Sequence, residues 1–196
     1  FCLPNKGFDE LIKSVRILAD MDFKIELNLF TALYNDYYKY VYEDLKALVS
    51  ELRISDLVNI NVDYATEESI VKSLGDHDLI VFPYQFSTES SSASVRQAIS
   101  SLKPILVTPN PIFNDISPCL NFLPGYDSED IAQGIVSWFE NSKNKKEDID
   151  IYNNKLKFIQ NFGFSKLGFR LDDLICALEI NKLILVFFIK SLINLH

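Results

Sequence analysis

Residues 78–109 read DLIVFPYQFSTESSSASVRQAISSLKPILVTP, and the fold is decided by what this stretch becomes. Leu79–Phe82 is an unbroken apolar run, the pattern of a strand buried on both faces of a parallel sheet. Pro83 and Tyr84 end the run and a polar loop follows. Val95, Ile99 and Leu102 then mark one face of a helix expected from about Ser91 to Ser101, and Pro104 opens a second apolar run, Ile105–Val107. Strand, loop, helix, strand is a βαβ unit, and such sheets take their ligands at the carboxyl ends of the strands. Glu89 and the serines after it therefore fall at the ligand-facing edge. They sit just before a helix N-terminus, whose unpaired N–H groups and positive dipole end suit phosphate.

The flanks extend the same alternation. Phe1–Leu3 reads as the end of a first strand and Pro4-Asn5-Lys6-Gly7 as a turn. Phe8, Leu11, Ile12, Val15, Leu18 and Ala19 form a helical stripe after it. Lys24–Phe30 and Val58–Tyr64 are expected strands, separated by a tyrosine-rich helix from Tyr37 to about Leu52. Those tyrosines could stack sugars, but they read first as a helix packed on the sheet with phenol tips reaching water. Thr66 opens a short helix that Gly75 closes, and His77 reads as a solvated or capping residue. Beyond residue 109, Cys119–Leu123 is an expected edge strand. Asp127 is the N-cap of a helix whose inward stripe is Ile131, Ile135, Trp138 and Phe139.

A charge-dense connection, residues 142–150, leads to helices at Tyr152–Ile159 and Lys166–Leu178, split by Asn161-Phe162-Gly163. The expected organisation is α/β: residues 1–141 form a Rossmann-like parallel sheet with helices on both faces. Residues 142–196 form a C-terminal helical extension packed on it. Leu183–Ile189 is apolar all round but far short of the roughly 20 residues that span a bilayer. It reads as an interdomain surface, with a peripheral membrane contact as the alternative.

Composition narrows the function classes. At 196 residues the chain suits one domain with a sizeable core. A formal charge of −8 argues against nucleic-acid binding, which needs a basic stripe, and leaves any phosphate to be held by local groups. Cys2, Cys119 and Cys176 are odd in number and widely spaced, as in reduced thiols of a cytoplasmic protein. With only His77 and His196, a histidine-rich metal site is excluded, and no metal is expected. The chain starts at Phe1 within an expected strand, so it reads as a fragment without a signal peptide.

At the residues already quoted, the chain resembles group 1 (family 4) retaining glycosyltransferases of the GT-B fold. Their donor-binding signature is an apolar strand ending in Pro, a Glu, seven residues, a second Glu, Ala, and then Gly-Lys-Pro before the next strand. Glu89 matches the first Glu, Ala98 the Ala, and Lys103-Pro104 the Lys-Pro. Gln97 stands in place of the second Glu and Leu102 in place of the Gly; Ser90, Ser91 and Ser92 replace a Gly-Phe-Gly. Lys6-Gly7 matches a Lys-Gly that faces the donor diphosphate, while Phe1 stands where the accompanying Arg is usual. The resemblance covers about Phe1–Phe139 and implies the C-terminal, donor-binding half of a two-domain enzyme.

What it implies for chemistry is uneven. Lys6 and Glu89 become the catalytic pair. Lys6 stabilises the departing diphosphate of an oxocarbenium-like transfer, and Glu89 accepts from the sugar hydroxyls. Around the nucleotide sugar stand Gly7, Tyr84, Ser90, Ser91, Ser92, Ala93, Arg96 and Gln97. Backbone N–H groups near Ser91–Ala93 and the Arg96 guanidinium are candidates for phosphate, though Arg96 could equally pair with a carboxylate across the helix surface. Gln97 keeps one carbonyl for the ribose, but it is neutral and weaker than the usual carboxylate. No cofactor is implied; the donor is a GDP- or UDP-linked hexose, with GDP-mannose the first expectation. The acceptor is a glycan or lipid-linked sugar met through the N-terminal domain, as in polysaccharide biosynthesis, at the inner face of the membrane. Two other readings stand beside it. One is a non-catalytic degenerate domain acting as a binding module. The other is a GT-B-shaped sugar-nucleotide epimerase, which would need acid and base groups not found here.

Overall fold

The computed structural model describes residues 1–87, 89–141, 145–163 and 166–179. By its contacts the chain divides into two units, Phe1–Lys155 and Leu156–His196. Lys155, the last residue of the first unit, is anchored there. The Lys155 side chain is fully buried and its ammonium donates to the Lys103 carbonyl, while the Asn154 amide donates to the Pro118 carbonyl at 3.0 Å.

In the first unit the elements alternate. They are α1 (Phe8–Asp20), β1 (Leu27–Phe30), α2 (Lys39–Glu51), β2 (Val58–Asn61), α3 (Glu67–Gly75), β3 (Ile80–Phe82), α4 (Ala93–Ile99), β4 (Ile105–Val107), β5 (Asn121–Phe122) and α5 (Ser128–Asn141). A 3-10 segment, Asp36–Tyr38, leads into α2, and another, Pro111–Cys119, joins β4 to β5. The helix α6, Lys145–Phe162, crosses from the first unit into the second, where residues 166–179 are also helical.

All strand pairs are parallel, in two groups: β1 beside β2, and β3-β4-β5 in that order. Helices cover both faces, with α1 packed on α2 and α5, and α3 on α4. The β4 strand shows the pleat directly. Leu106 joins the cluster formed by Leu11, Ile12, Val15 and Leu18 of α1 with Ile131 and Ile135 of α5. Its neighbours Ile105 and Val107 are fully buried outside that cluster, as alternation to the opposite face requires. Each such side chain taken from water stabilises the fold by about 1.5–3 kcal/mol.

Several elements are shorter than their sequence patterns suggest. Val58–Tyr64 stops at Asn61 because the Asn61 carboxamide accepts from Asp63 N–H at 2.8 Å, turning the chain and leaving Tyr64 exposed. Phe1–Leu3 contributes no regular strand; one rung, Cys2 N–H to the Ala32 carbonyl at 2.8 Å, is its tie to the strand edge. The helix expected at 91–101 is confined to Ala93–Ile99, capped by Ser92, whose hydroxyl accepts from Val95 N–H. Three residues past its end, Leu102 takes a left-handed φ of 59°. That is a conformation glycine adopts freely and a branched side chain adopts at a cost of about 1 kcal/mol or more. Gly75 is simply the last residue of α3 with an ordinary φ, so it is no left-handed cap. His77 closes that end instead, donating from Nδ1 to the Ser73 carbonyl at 2.7 Å. The apolar stretch Leu183–Ile189 lies outside the described residues. Among those described, no helix is long and apolar enough to cross a membrane.

Candidate functional site

The turn that carries Lys6 is built by backbone geometry. Asn5 and Gly7, on either side of it, both take left-handed conformations, with φ of 64° and 72°. Asn tolerates that region through its short polar side chain and Gly has no Cβ to resist it. At Gly7 a second constraint applies: a Cβ there would stand 1.8 Å from the Pro83 carbonyl oxygen. The turn is thus pressed against the carboxyl end of β3, and Gln85 N–H fastens it by donating to the Asn5 carbonyl at 2.9 Å.

That contact sets Lys6 against the loop from β3. Its Nζ donates to both carboxylate oxygens of Glu89, at 3.3 and 3.4 Å. It also lies 4.1 Å from the centre of the Tyr84 ring. The lysine side chain is 15% exposed and the glutamate 54%, so the ammonium is largely sheltered and the carboxylate opens to solvent. The loop is shaped locally: Ser87 Oγ accepts from Glu89 N–H at 3.1 Å. Ser90, Ser91 and Ala93 are exposed beside it, and so is the Phe86 ring.

The remaining candidates are committed elsewhere. Tyr84 and Ser92 are buried, and their hydroxyls meet at 3.2 Å. The Arg96 guanidinium pairs with Asp115 of the 3-10 segment and donates to the Ser92 carbonyl at 3.1 Å. Its carboxylate partner thus comes from another segment, and the pair stays partly open to solvent. The Gln97 carboxamide donates to the Glu67 carbonyl at the start of α3, 3.4 Å away. Phe1 sets its ring edge-on to Tyr34 at 5.2 Å.

A polar network ties the loops around these residues together. Besides binding the Asn5 carbonyl, Gln85 donates from Nε2 to the Tyr126 carbonyl at 2.9 Å, and its own carbonyl accepts from Asn110 Nδ2. Buried Thr108 donates from Oγ1 to the Tyr84 carbonyl at 2.5 Å, and the Tyr126 hydroxyl donates to the Pro109 carbonyl at 2.8 Å. The loops after β3, β4 and β5 are thereby joined to the Lys6 turn. The available signal was positional, since Thr108, Asn110 and Tyr126 all follow the carboxyl ends of strands.

The tyrosine-rich segment is more open than phenol tips alone would give. Tyr37 is 76% exposed, and Tyr34, Tyr37, Tyr38 and Tyr40 touch one another mostly edge to face. Among the described residues, no group of three or more His, Cys, Asp or Glu is placed to hold a metal ion.

Against known proteins, neither a family model nor a curated sequence matches this chain. Solved structures do match. A glycosyltransferase from Rickettsia africae is similar at 18% identity and a TM-score of 0.69, covering 93% of this chain and 45% of its own. Anabaena HepE, solved in complex with UDP and also with UDP-glucose, gives 14% identity and TM-scores of 0.69 and 0.67, with 89% and 46% covered. The C-terminal domain of a group 1 glycosyl transferase (LpcC) from Francisella tularensis gives 14% identity and a TM-score of 0.62, with 82% and 80% covered. The chain therefore spans just under half the length of the first two and most of the isolated domain. Parallel strands flanked by helices, in the arrangement these neighbours share, make the fold of this chain that of the GT-B glycosyltransferases.

Proposed function

We propose that this chain is the C-terminal, donor-binding half of a retaining GT-B glycosyltransferase, with Lys6 and Glu89 facing a nucleotide-diphosphate hexose. One observation carries the reading. Two opposite charges, 83 residues apart in sequence and on different loops, meet at 3.3 Å beside the carboxyl end of β3. Sheets of this kind take their ligands at that edge.

The arrangement suits the chemistry in a definite way. As the glycosidic bond to the leaving diphosphate breaks, negative charge grows on the phosphate oxygens. A sheltered ammonium then gains more interaction than it had with the intact donor. Lys6 is sheltered, rigidly based and offers three donors; its two bonds to Glu89 are long, so a phosphate oxygen can share or displace them. Glu89, the more exposed partner, accepts from the sugar hydroxyls. The Gln97 carbonyl takes a ribose hydroxyl, more weakly than a carboxylate would. The structural neighbour that binds UDP-glucose supports a nucleotide sugar as the ligand class. GDP-mannose and UDP-glucose are the two donors to try first. A glycan or lipid-linked acceptor would be bound largely by a second domain, at the cytoplasmic face of a membrane.

The competing reading is a domain that keeps the fold without turnover. The Gln97 amide tied to Glu67, and the Phe1 ring set edge-on to Tyr34, favour it. Calorimetric titration with GDP, UDP and their hexose conjugates separates the two. Micromolar binding that is lost in Glu89→Ala supports the donor site; no binding of any nucleotide supports the degenerate module.

A further inference from the structure

We infer that Tyr84 is a positioning residue: its buried ring holds the Lys6 ammonium in place and couples it to helix α4, and it does not itself touch the donor. The inference deepens the proposed donor site and rests on it only for the functional part of the test.

The geometry is specific. Tyr84 is 6% exposed and its hydroxyl is taken up by Ser92 Oγ at 3.2 Å, so neither its edge nor its polar tip is offered to a ligand. The ring lies against Phe82 and Phe113, at 5.9 and 5.5 Å between centroids. Lys6 Nζ stands over the ring, 4.1 Å from its centre. A ring face is the negative side of the aromatic quadrupole, and a sheltered cation at this distance is attracted to it. The backbone of Tyr84 is fixed as well, since its carbonyl accepts from Thr108 Oγ1 at 2.5 Å.

The same side chain links Lys6 to the other half of the site. Ser92, bonded to the Tyr84 hydroxyl, caps α4 through Val95 N–H. Its carbonyl also receives Arg96. Tyr84 therefore lies between the cation of the first turn and the cap of the helix that follows Glu89. A lysine has four rotatable bonds and would otherwise wander. With its head set between a carboxylate and a ring face, it meets a diphosphate without first being ordered.

Two readouts test this, one of them without any ligand. In proton NMR spectra the Lys6 ε-methylene signals, assigned by their loss in Lys6→Met, should lie upfield of the other lysines because of the Tyr84 ring current. They should stay there in Tyr84→Phe and return to ordinary values in Tyr84→Leu. An unshifted Lys6 signal in the wild-type chain overturns the inference, even if Tyr84→Leu fails to fold. The second readout is a cycle of UDP and GDP titrations. Tyr84→Leu should weaken binding about three- to tenfold when Lys6 is present and have no further effect in Lys6→Met. Equal losses in both backgrounds would mean that Tyr84 supports the loop and not the lysine. If wild-type chain binds neither nucleotide while Lys6 remains shifted, the donor-site reading falls and the positioning role stands.

Discussion

Gly7→Ala is the substitution that presses hardest on this account. The new methyl would begin 1.8 Å from the Pro83 carbonyl oxygen, a backbone atom that cannot rotate aside, and at a φ of 72° that alanine resists. Left-handed backbone costs an alanine about 1 kcal/mol, and forcing an added methyl into packed structure costs about 1–3 kcal/mol more. Ordinary contact begins at 3.4 Å, so relief needs a displacement of about 1.6 Å between the Lys6 turn and the end of β3. Such a shift would break the 2.9 Å bond from Gln85 N–H to the Asn5 carbonyl. It would also carry Lys6 Nζ out of reach of Glu89, whose oxygens are already at 3.3 and 3.4 Å. We expect a loss of about 2–4 kcal/mol in urea unfolding, and at least tenfold weaker UDP or GDP binding by calorimetry in the fraction that folds. Wild-type stability together with wild-type nucleotide affinity would refute the claim that this contact sets the lysine.

Other substitutions should behave differently. Gly75→Ala, where a Cβ meets nothing within 4 Å and φ is ordinary, should raise stability by about 0.5–1 kcal/mol in the same urea titration. Arg96→Ala should lower the melting temperature by only a few degrees, as removal of a partly exposed ion pair and one bond to the Ser92 carbonyl would. It should leave nucleotide affinity within about twofold of wild type, whereas a large affinity loss would return Arg96 to the site. Burial pushes the Cys2 and Cys119 thiols up from their ordinary values, while Cys176 is exposed. A disulfide reagent at pH 7.5 should therefore label Cys176 fast and the other two only on unfolding, as mass spectrometry of timed samples can show. Because those two thiols ionise less readily when folded, their contribution to stability is complete below about pH 8.5. It is lost as pH rises through the higher folded values, so stability should decline on the alkaline side.

How much of this was legible in the sequence differs from element to element. The apolar runs Leu79–Phe82 and Ile105–Val107 named two buried parallel strands because burial on both faces leaves no polar positions to confuse the pattern. Asp127 was legible as a helix start for a similar reason, since a cap is written in one residue, and its carboxylate accepts from Asp130 N–H at 2.8 Å. Strand ends were not legible. Val58–Tyr64 keeps its alternation past Asn61, and only the Asn61 side chain folding back to Asp63 N–H stops the ladder. Within the site, the meeting of Lys6 and Glu89 came from two separate motifs in register with one family pattern. The roles of Tyr84 and Arg96 did not, because burial and a partner on the Pro111–Cys119 segment are long-range facts that spacing does not encode. Gln85 was invisible for the same reason: a glutamine carries no pattern until the loops it ties are brought together.

The central claim is that Lys6 answers a diphosphate, and the most direct measurement compares each nucleoside diphosphate with its nucleoside. Binding of UDP against uridine, and GDP against guanosine, should be measured for the wild-type chain and Lys6→Met. A charge-assisted contact of about 1.5–3 kcal/mol predicts that the variant loses about ten- to a hundredfold for the preferred diphosphate and almost nothing for its nucleoside. Equal losses for both, or none for either, would contradict it.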